Sequence, residues 1–203
     1  MYLVRPSYLI KSIYPKAIWR MEETEKKLFL SFDDGPIPEI TPWVLDVLQQ
    51  YKIKASFFCV GDNVEKHTAI FDRIKADGHA VGNHTYNHLN GWKTHSTDYY
   101  KNIAKAKEIT SSSLFRPPYG KMKNTQYKTI LNHYKIIMWD VLSGDYDKNT
   151  SPEKCLDNVL TNYRNGSIIV FHDNRKAWNN LQYALPKFIE HALGEGYIFE
   201  TIQ

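Results

Sequence analysis

Cysteine is nearly absent from this chain: Cys59 and Cys155 are the two in 203 residues, too few for a disulfide framework. Cys59 lies within the apolar run Ala55–Val60 and reads as a small buried hydrophobe. Long apolar runs are missing too. Arg5, Lys11, Lys16 and Arg20 interrupt the first twenty residues, so that segment has neither a signal-peptide core nor a membrane span. A cytoplasmic location is the expectation, or an extracytoplasmic one if a leader has been removed. The chain also lacks a stripe of one charge: its net +4 is scattered, which gives nucleic acid no continuous footprint. Repeats, low-complexity stretches and Pro/Gly/Ser-rich linkers are not seen. Residues 27–203 therefore read as one domain, with residues 1–26 as an extension packing on it, and nothing in the sequence sets the oligomeric state.

What is present suits a sizeable core: 42% of residues are apolar, 24% charged and 14% aromatic, including 14 Tyr and 5 Trp. Aromatic side chains serve equally as core material and as stacking surfaces for sugar rings. From residue 27 the chain alternates β-rich runs with helical patterns. Strands are expected at Lys27–Phe32, Ala55–Val60, His79–Asn83, Leu114–Arg116, Lys135–Asp140, Ser167–His172 and Tyr197–Ile202. Helices are expected at Thr41–Tyr51, Asp62–Ala76, Thr97–Ser111, Asn124–His133, Pro152–Tyr163 and Ala177–Leu193. Asp62 would cap the second of these, and Ile70, Phe71 and Ile74 would share one of its faces. Seven strands alternating with six helices imply a parallel α/β architecture, either an open doubly wound sheet or a barrel.

Reactive side chains gather where five of these strands end. The first runs into Asp33-Asp34-Gly35-Pro36, the third into His84-Thr85-Tyr86-Asn87-His88 and the fourth into Arg116-Pro117-Pro118-Tyr119-Gly120. The fifth is followed by Asp140 and Asp145, and the sixth ends at His172-Asp173. In parallel α/β folds the carboxyl ends of the strands share one rim, where active sites are built. Asp-Asp-Gly-Pro by itself is also an ordinary polar turn. His84 and His88, four residues apart, can face one ion, and Asp34 would complete a two-His, one-carboxylate set that leaves a position open. Zinc suits these donors, and cobalt or nickel are compatible. Neither cysteine is near a motif, so a structural zinc site closed by thiolates is the less favoured reading. His172 ends an apolar strand, where an imidazole must be either hydrogen-bonded structure or a working group. Arg116 is either a surface cation or a group displayed on a loop stiffened by Pro117-Pro118.

Taken together, these segments resemble the polysaccharide deacetylases of the NodB-homology group, carbohydrate esterase family 4. Ser31–Pro36 is similar to that family's Thr-Phe-Asp-Asp-Gly-Pro motif, and His84–His88 to His-Ser/Thr-x-x-His. Arg116–Gly120 resembles the third motif, Trp139–Tyr146 the fourth, and Val170-Phe171-His172 the fifth, Leu-x-His. The resemblance spans about residues 27 to 202 and implies a distorted (β/α)7-8 barrel. It implies a divalent metal, Zn²⁺ first and Co²⁺ or Ni²⁺ next, on Asp34, His84 and His88. Asp33 would be the general base and His172 the general acid. Arg116 would orient and tune Asp33, and Asp145 would pair with His172. The Tyr119 backbone N–H would stabilise the oxyanion, while Tyr119, Tyr146 and Val170 would contact substrate. The sequence departs from the pattern where Ser31 replaces Thr, Tyr146 replaces Trp and Val170 replaces Leu. The first acid of the fourth motif also has no match in register, Asp140 standing two residues early.

The activity implied is removal of N-acetyl groups from an amino-sugar glycan such as peptidoglycan, a chitin oligomer or a glucosamine exopolysaccharide. The same machinery would serve an O-acetyl xylan esterase or a small-molecule amide hydrolase. A carbohydrate-binding module without activity would keep the fold and lose a ligand or the base. All of those positions are present.

Overall fold

The computed structural model describes residues 2–203. Strand β1 (Lys27–Asp33) is buried along its whole length after Lys27, the pattern of a central parallel strand covered on both faces. The others are β2 (Ser56–Cys59), β3 (Ala80–Asn83), β4 (Leu114–Phe115), β5 (Lys135–Ile136), β6 (Val141–Leu142), β7 (Ile168–His172) and β8 (Ile198–Phe199). They hydrogen-bond in the order β5-β4-β3-β2-β1-β7-β6, with β8 on the first residues of β1, and every pairing is parallel. The result is a curled sheet of the (β/α) barrel type.

Among the described residues eight α-helices accompany it: α1 (Tyr8–Ile13), α2 (Ile40–Gln50), α3 (Gly61–Lys66), α4 (Thr68–Ala76), α5 (Ser96–Thr110), α6 (Asn124–Ile130), α7 (Pro152–Leu160) and α8 (Trp178–Gly194). The single helix expected over Asp62–Ala76 is two, because His67 leaves helical geometry at φ −133° and ψ 48°. Asp62 is not its cap. Val60 holds that position, and Asp62 sits in the first turn, paired with Lys66. Of the strand expected over Lys135–Asp140 only Lys135–Ile136 forms, and β6 follows beyond its end at Val141–Leu142. The Ile137 N–H still bonds Phe115 O of β4 while Ile137 bridges to Ile18, and the Asp140 N–H bonds Ile168 O before β6 begins beside β7.

Strand alternation sorts the core. Leu28, Leu30 and Phe32 of β1 point outward and pack with Val44, Leu45 and Leu48 of α2 and Leu181, Leu185 and Phe188 of α8. Phe29 points inward and joins Phe58, Leu114, Ile137, Ile168 and Ile202. Each such apolar side chain contributes about 1.5–3 kcal/mol by leaving water. Strand register then sets the rim: Asp33 lies opposite Phe58 on one side and His172 on the other, Cys59 opposite Asn83, and Asn83 opposite Phe115. His84 and Arg116, each one residue further along, arrive at the same level.

No strand pairing joins β5 to β6. The N-terminal segment crosses that seam: the Leu142 N–H donates to Val4 O, Met138 to Ile18 O, and Tyr14 Oη both donates to Met122 O and accepts from its N–H. Asp140, fully buried, takes Arg5, Lys11, Arg164 and the Ser167 hydroxyl within 3.0–3.4 Å. It anchors this segment and lies outside the groove described below, so of the two acids after the fifth expected strand only Asp145 reaches the site.

Candidate active site

Asp33 and Asp34 leave β1 together, yet their surroundings differ. Arg116 is completely buried and stacks 3.9 Å from the centre of the Phe58 ring. Its Nη1 donates to Asp33 Oδ1 at 2.6 Å and to Ser31 Oγ at 2.9 Å, while Nε and Nη2 donate to Ile137 O and Met138 O. Burial pulls its pKa below the ordinary value, and Asp33 opposes that. Arg116 is thus no surface cation. Ser31, in place of Thr, keeps the hydroxyl that this network uses, accepting from Arg116 and donating to Ile169 O.

Asp34 turns away through a left-handed backbone, φ 87°. Asn63 Nδ2 donates to its carbonyl at 2.8 Å and Asn174 Nδ2 to its Oδ2 at 2.5 Å. Oδ1 is buried, has no aligned donor, and lies 3.5 Å from His84 Nε2 and 3.1 Å from His88 Nε2. Burial opposes ionisation of Asp34, but the rings of His88, His172 and His84 outweigh it and hold the carboxyl below its usual range. His84 Nδ1 is 2.8 Å from Arg116 O. A carbonyl only accepts, so Nδ1 carries the proton and Nε2 presents a lone pair toward Asp34. Burial lowers the His84 pKa to about 4, which keeps that lone pair available. The donor atoms of Asp34, His84 and His88 lie within 4.8 Å of one another. An orphaned carboxylate oxygen and two convergent imidazoles are a donor set that fits a divalent ion.

Across the groove, Asp145 grips His172 twice. Oδ1 is 2.8 Å from Nδ1 and Oδ2 accepts from the His172 N–H at 2.6 Å. Burial disfavours the charged ring, but Asp145, with Asp34 and Asp33 behind it, raises the pKa to about 9. Tyr146 packs edge-on against this ring at 4.7 Å. Asp33, Asp34, His84, His88, Tyr119, Tyr146, Val170 and His172 all line one groove of about 910 Å³, while Arg116 and Asp145 stand behind its wall, fully buried. Of the seven non-glycine residues with positive φ among those described, Asp34, Thr85, His88 and Tyr119 belong here, so backbone strain is concentrated at this site.

The polysaccharide deacetylase family model matches residues 20–137. The chain belongs to this family, carbohydrate esterase family 4. Two peptidoglycan-N-acetylglucosamine deacetylases of Bacillus cereus are similar to it. One is 31% identical over 191 residues, covering 91% of this chain and 90% of the relative. The other is 40% identical over 183 residues, covering 85% and 66%. The crystal structure of the Bc1960 peptidoglycan N-acetylglucosamine deacetylase, in complex with a hydroxamate, superposes with a TM-score of 0.84 at 35% identity over 92% of this chain and 91% of that one. The barrel is the one this metal-dependent deacetylase family uses.

Two residues around the deacetylase groove were not anticipated, and a third, Asp173, was placed at the rim without a role. Asn63 and Asn174 hold Asp34, as above. Asp173 is fully buried, accepting from the Gly35 N–H at 2.9 Å and Thr41 Oγ1 at 2.5 Å. Burial pushes its pKa up to about 8, against the Thr41 bond. The available signal was adjacency: Asp173 and Asn174 follow His172 directly, but nothing in their spacing shows which way they face.

Proposed function

We propose that this deacetylase removes N-acetyl groups from an amino-sugar polymer, with peptidoglycan-type N-acetylglucosamine as its substrate class. The observation that carries the reading is one groove holding the Asp34–His84–His88 donor set between the Arg116-bound Asp33 and the Asp145-bound His172. The B. cereus relatives named for peptidoglycan support the choice of substrate.

Asp34, His84 and His88 would hold the ion, for which Zn²⁺ best suits two nitrogens and one oxygen. Bound there, a divalent ion acidifies water and polarises a carbonyl. Asp33 is the general base. Its Oδ1 is committed to Arg116, which leaves the other oxygen, on the groove, to take a proton from the attacking water. Negative charge then develops on the acetamide oxygen, and the Tyr119 backbone N–H, on a left-handed turn at φ 62°, is the donor for it. Loss of one such donor costs roughly 10²–10³ in rate. The amine leaves only when protonated. His172, kept cationic by Asp145, delivers that proton. Val170, Leu142 and Tyr146 border the groove beside His172 and give the acetyl methyl an apolar wall.

The test is acetate release by purified, zinc-loaded protein from N-acetylated peptidoglycan fragments, chitin oligomers and acetylated xylan. Release from peptidoglycan fragments is expected. Release from xylan alone would make the protein an O-acetyl esterase, and metal retention without release from any of them would sink the deacetylase reading.

A further inference from the structure

The segment that crosses the seam begins at the acid side of the groove. Gly144 adopts φ 77°, and a Cβ there would lie 2.1 Å from the Tyr2 ring and hydroxyl. Tyr2 therefore fills the space of a missing side chain. Its Oη is 2.8 Å from Thr150 Oγ1 and accepts from Asn158 Nδ2 at 2.8 Å. The same amide donates to Ser143 O, and Asn180 Nδ2 donates to Asp145 O. One residue along the segment, Leu3 lines the groove, and beyond it Val4 O takes the Leu142 N–H. The Tyr2 ring also lies 6.0 Å from that of Tyr146, which in turn packs on His172. A contact running Tyr2, Tyr146, His172 thus parallels the Asp145 grip, and both depend on the Ser143–Tyr146 turn.

We infer that Tyr2 is a positioning residue for the reaction, its ring and hydroxyl holding the Ser143–Tyr146 turn so that Asp145 and Tyr146 keep the His172 imidazole aimed into the groove. The inference rests on His172 being the acid of the proposed deacetylation. A displacement of about 1 Å at a reacting group can cost up to about 10² in rate. Substrate grips the rest of the groove, so the loss belongs in kcat rather than KM.

The experiment is a double-mutant cycle on the metal-loaded full chain with Tyr2→Ala, His172→Ala and the pair, read by kcat, KM and the NMR resonance of the His172 Nδ1 proton. Y2A should lower kcat roughly 10- to 100-fold with KM changed less than about twofold, and should move or broaden that resonance. In the H172A background Y2A should cost nothing more, because residues acting through one another are non-additive. An equal fold-loss in both backgrounds, or wild-type kcat with an unmoved resonance, overturns the role of Tyr2. If H172A alone leaves kcat intact, it is the acid assignment that fails, and the resonance in Y2A still decides whether Tyr2 holds the ring. Should Y2A not fold, Tyr2→Phe, which loses only the bonds to Thr150 and Asn158, carries the same cycle with a smaller expected loss of about threefold.

Discussion

Arg116→Met isolates what the buried guanidinium does. Arg116 is wholly buried, Asp33 is 4% exposed, and their charged groups meet at 2.6 Å. Methionine is close to arginine in volume and puts a thioether where the guanidinium stacks on Phe58, so the change is mainly electrostatic. Removing one partner of a buried pair costs about 3–5 kcal/mol because the other charge is stranded. The carbonyls of Ile137 and Met138 each lose a donor as well, adding up to about 1–3 kcal/mol where water does not replace it. A loss of at least about 3 kcal/mol follows, against a typical domain stability of 5–15 kcal/mol. Adding Asp33→Asn removes the stranded charge and should return about 2 kcal/mol or more, although D33N should abolish turnover if Asp33 is the proposed base. The assay is urea unfolding of the metal-free proteins at pH 7 followed by circular dichroism. An R116M cost below about 1.5 kcal/mol, or additivity of the two substitutions within about 0.5 kcal/mol, would refute the pairing as the reason Arg116 is buried.

Other expectations are simpler. Chelation should stop acetate release while leaving the helical signal, whereas global unfolding would mean that the metal is structural; H84A and H88A should each lower bound zinc per chain well below wild type. In the metal-free protein His172 has a pKa of about 9 against roughly 6.5 unfolded. Its stabilisation is therefore complete below about pH 6.5, is lost as pH rises through 9, and amounts to at most about 3 kcal/mol; H172Q should flatten that alkaline decline in unfolding midpoint. At Gly35 a Cβ would lie 2.0 Å from Asp173 Oδ2, so G35A should lower stability by about 2 kcal/mol or more, and wild-type melting would show that the turn can yield.

The rim was legible because chemistry and strand ends coincide: Asp33, Asp34, His84, Arg116 and His172 each fall at or within two residues of a strand end, and His88 follows His84 by four. The parallel sheet followed from alternation, which left an open sheet and a barrel both possible, and its closure toward a barrel came from the family resemblance. What escaped depends on partners distant in sequence. Asp140 stood two residues out of register with no role assigned, and its role appears only with its partners Arg5, Lys11 and Arg164. The break at Ile136–Ile137 leaves no mark, because an apolar residue serves as well in a crossing segment as in a strand. The six-residue α1 is too short for periodicity to register, and the orientation of Asn63, Asp173 and Asn174 is a tertiary fact.

The strand order also explains why the sheet curls. β5 and β6 stand at opposite ends of a seven-strand row, yet only residues 137–140 connect them. Laid flat, that row would be about 29 Å wide at roughly 4.8 Å per strand. The five steps from Ile136 to Val141 span at most about 18 Å. The backbone is a tether too short for a planar sheet, so the curvature that gathers five strand ends around one groove is required by covalent length before any side chain packs.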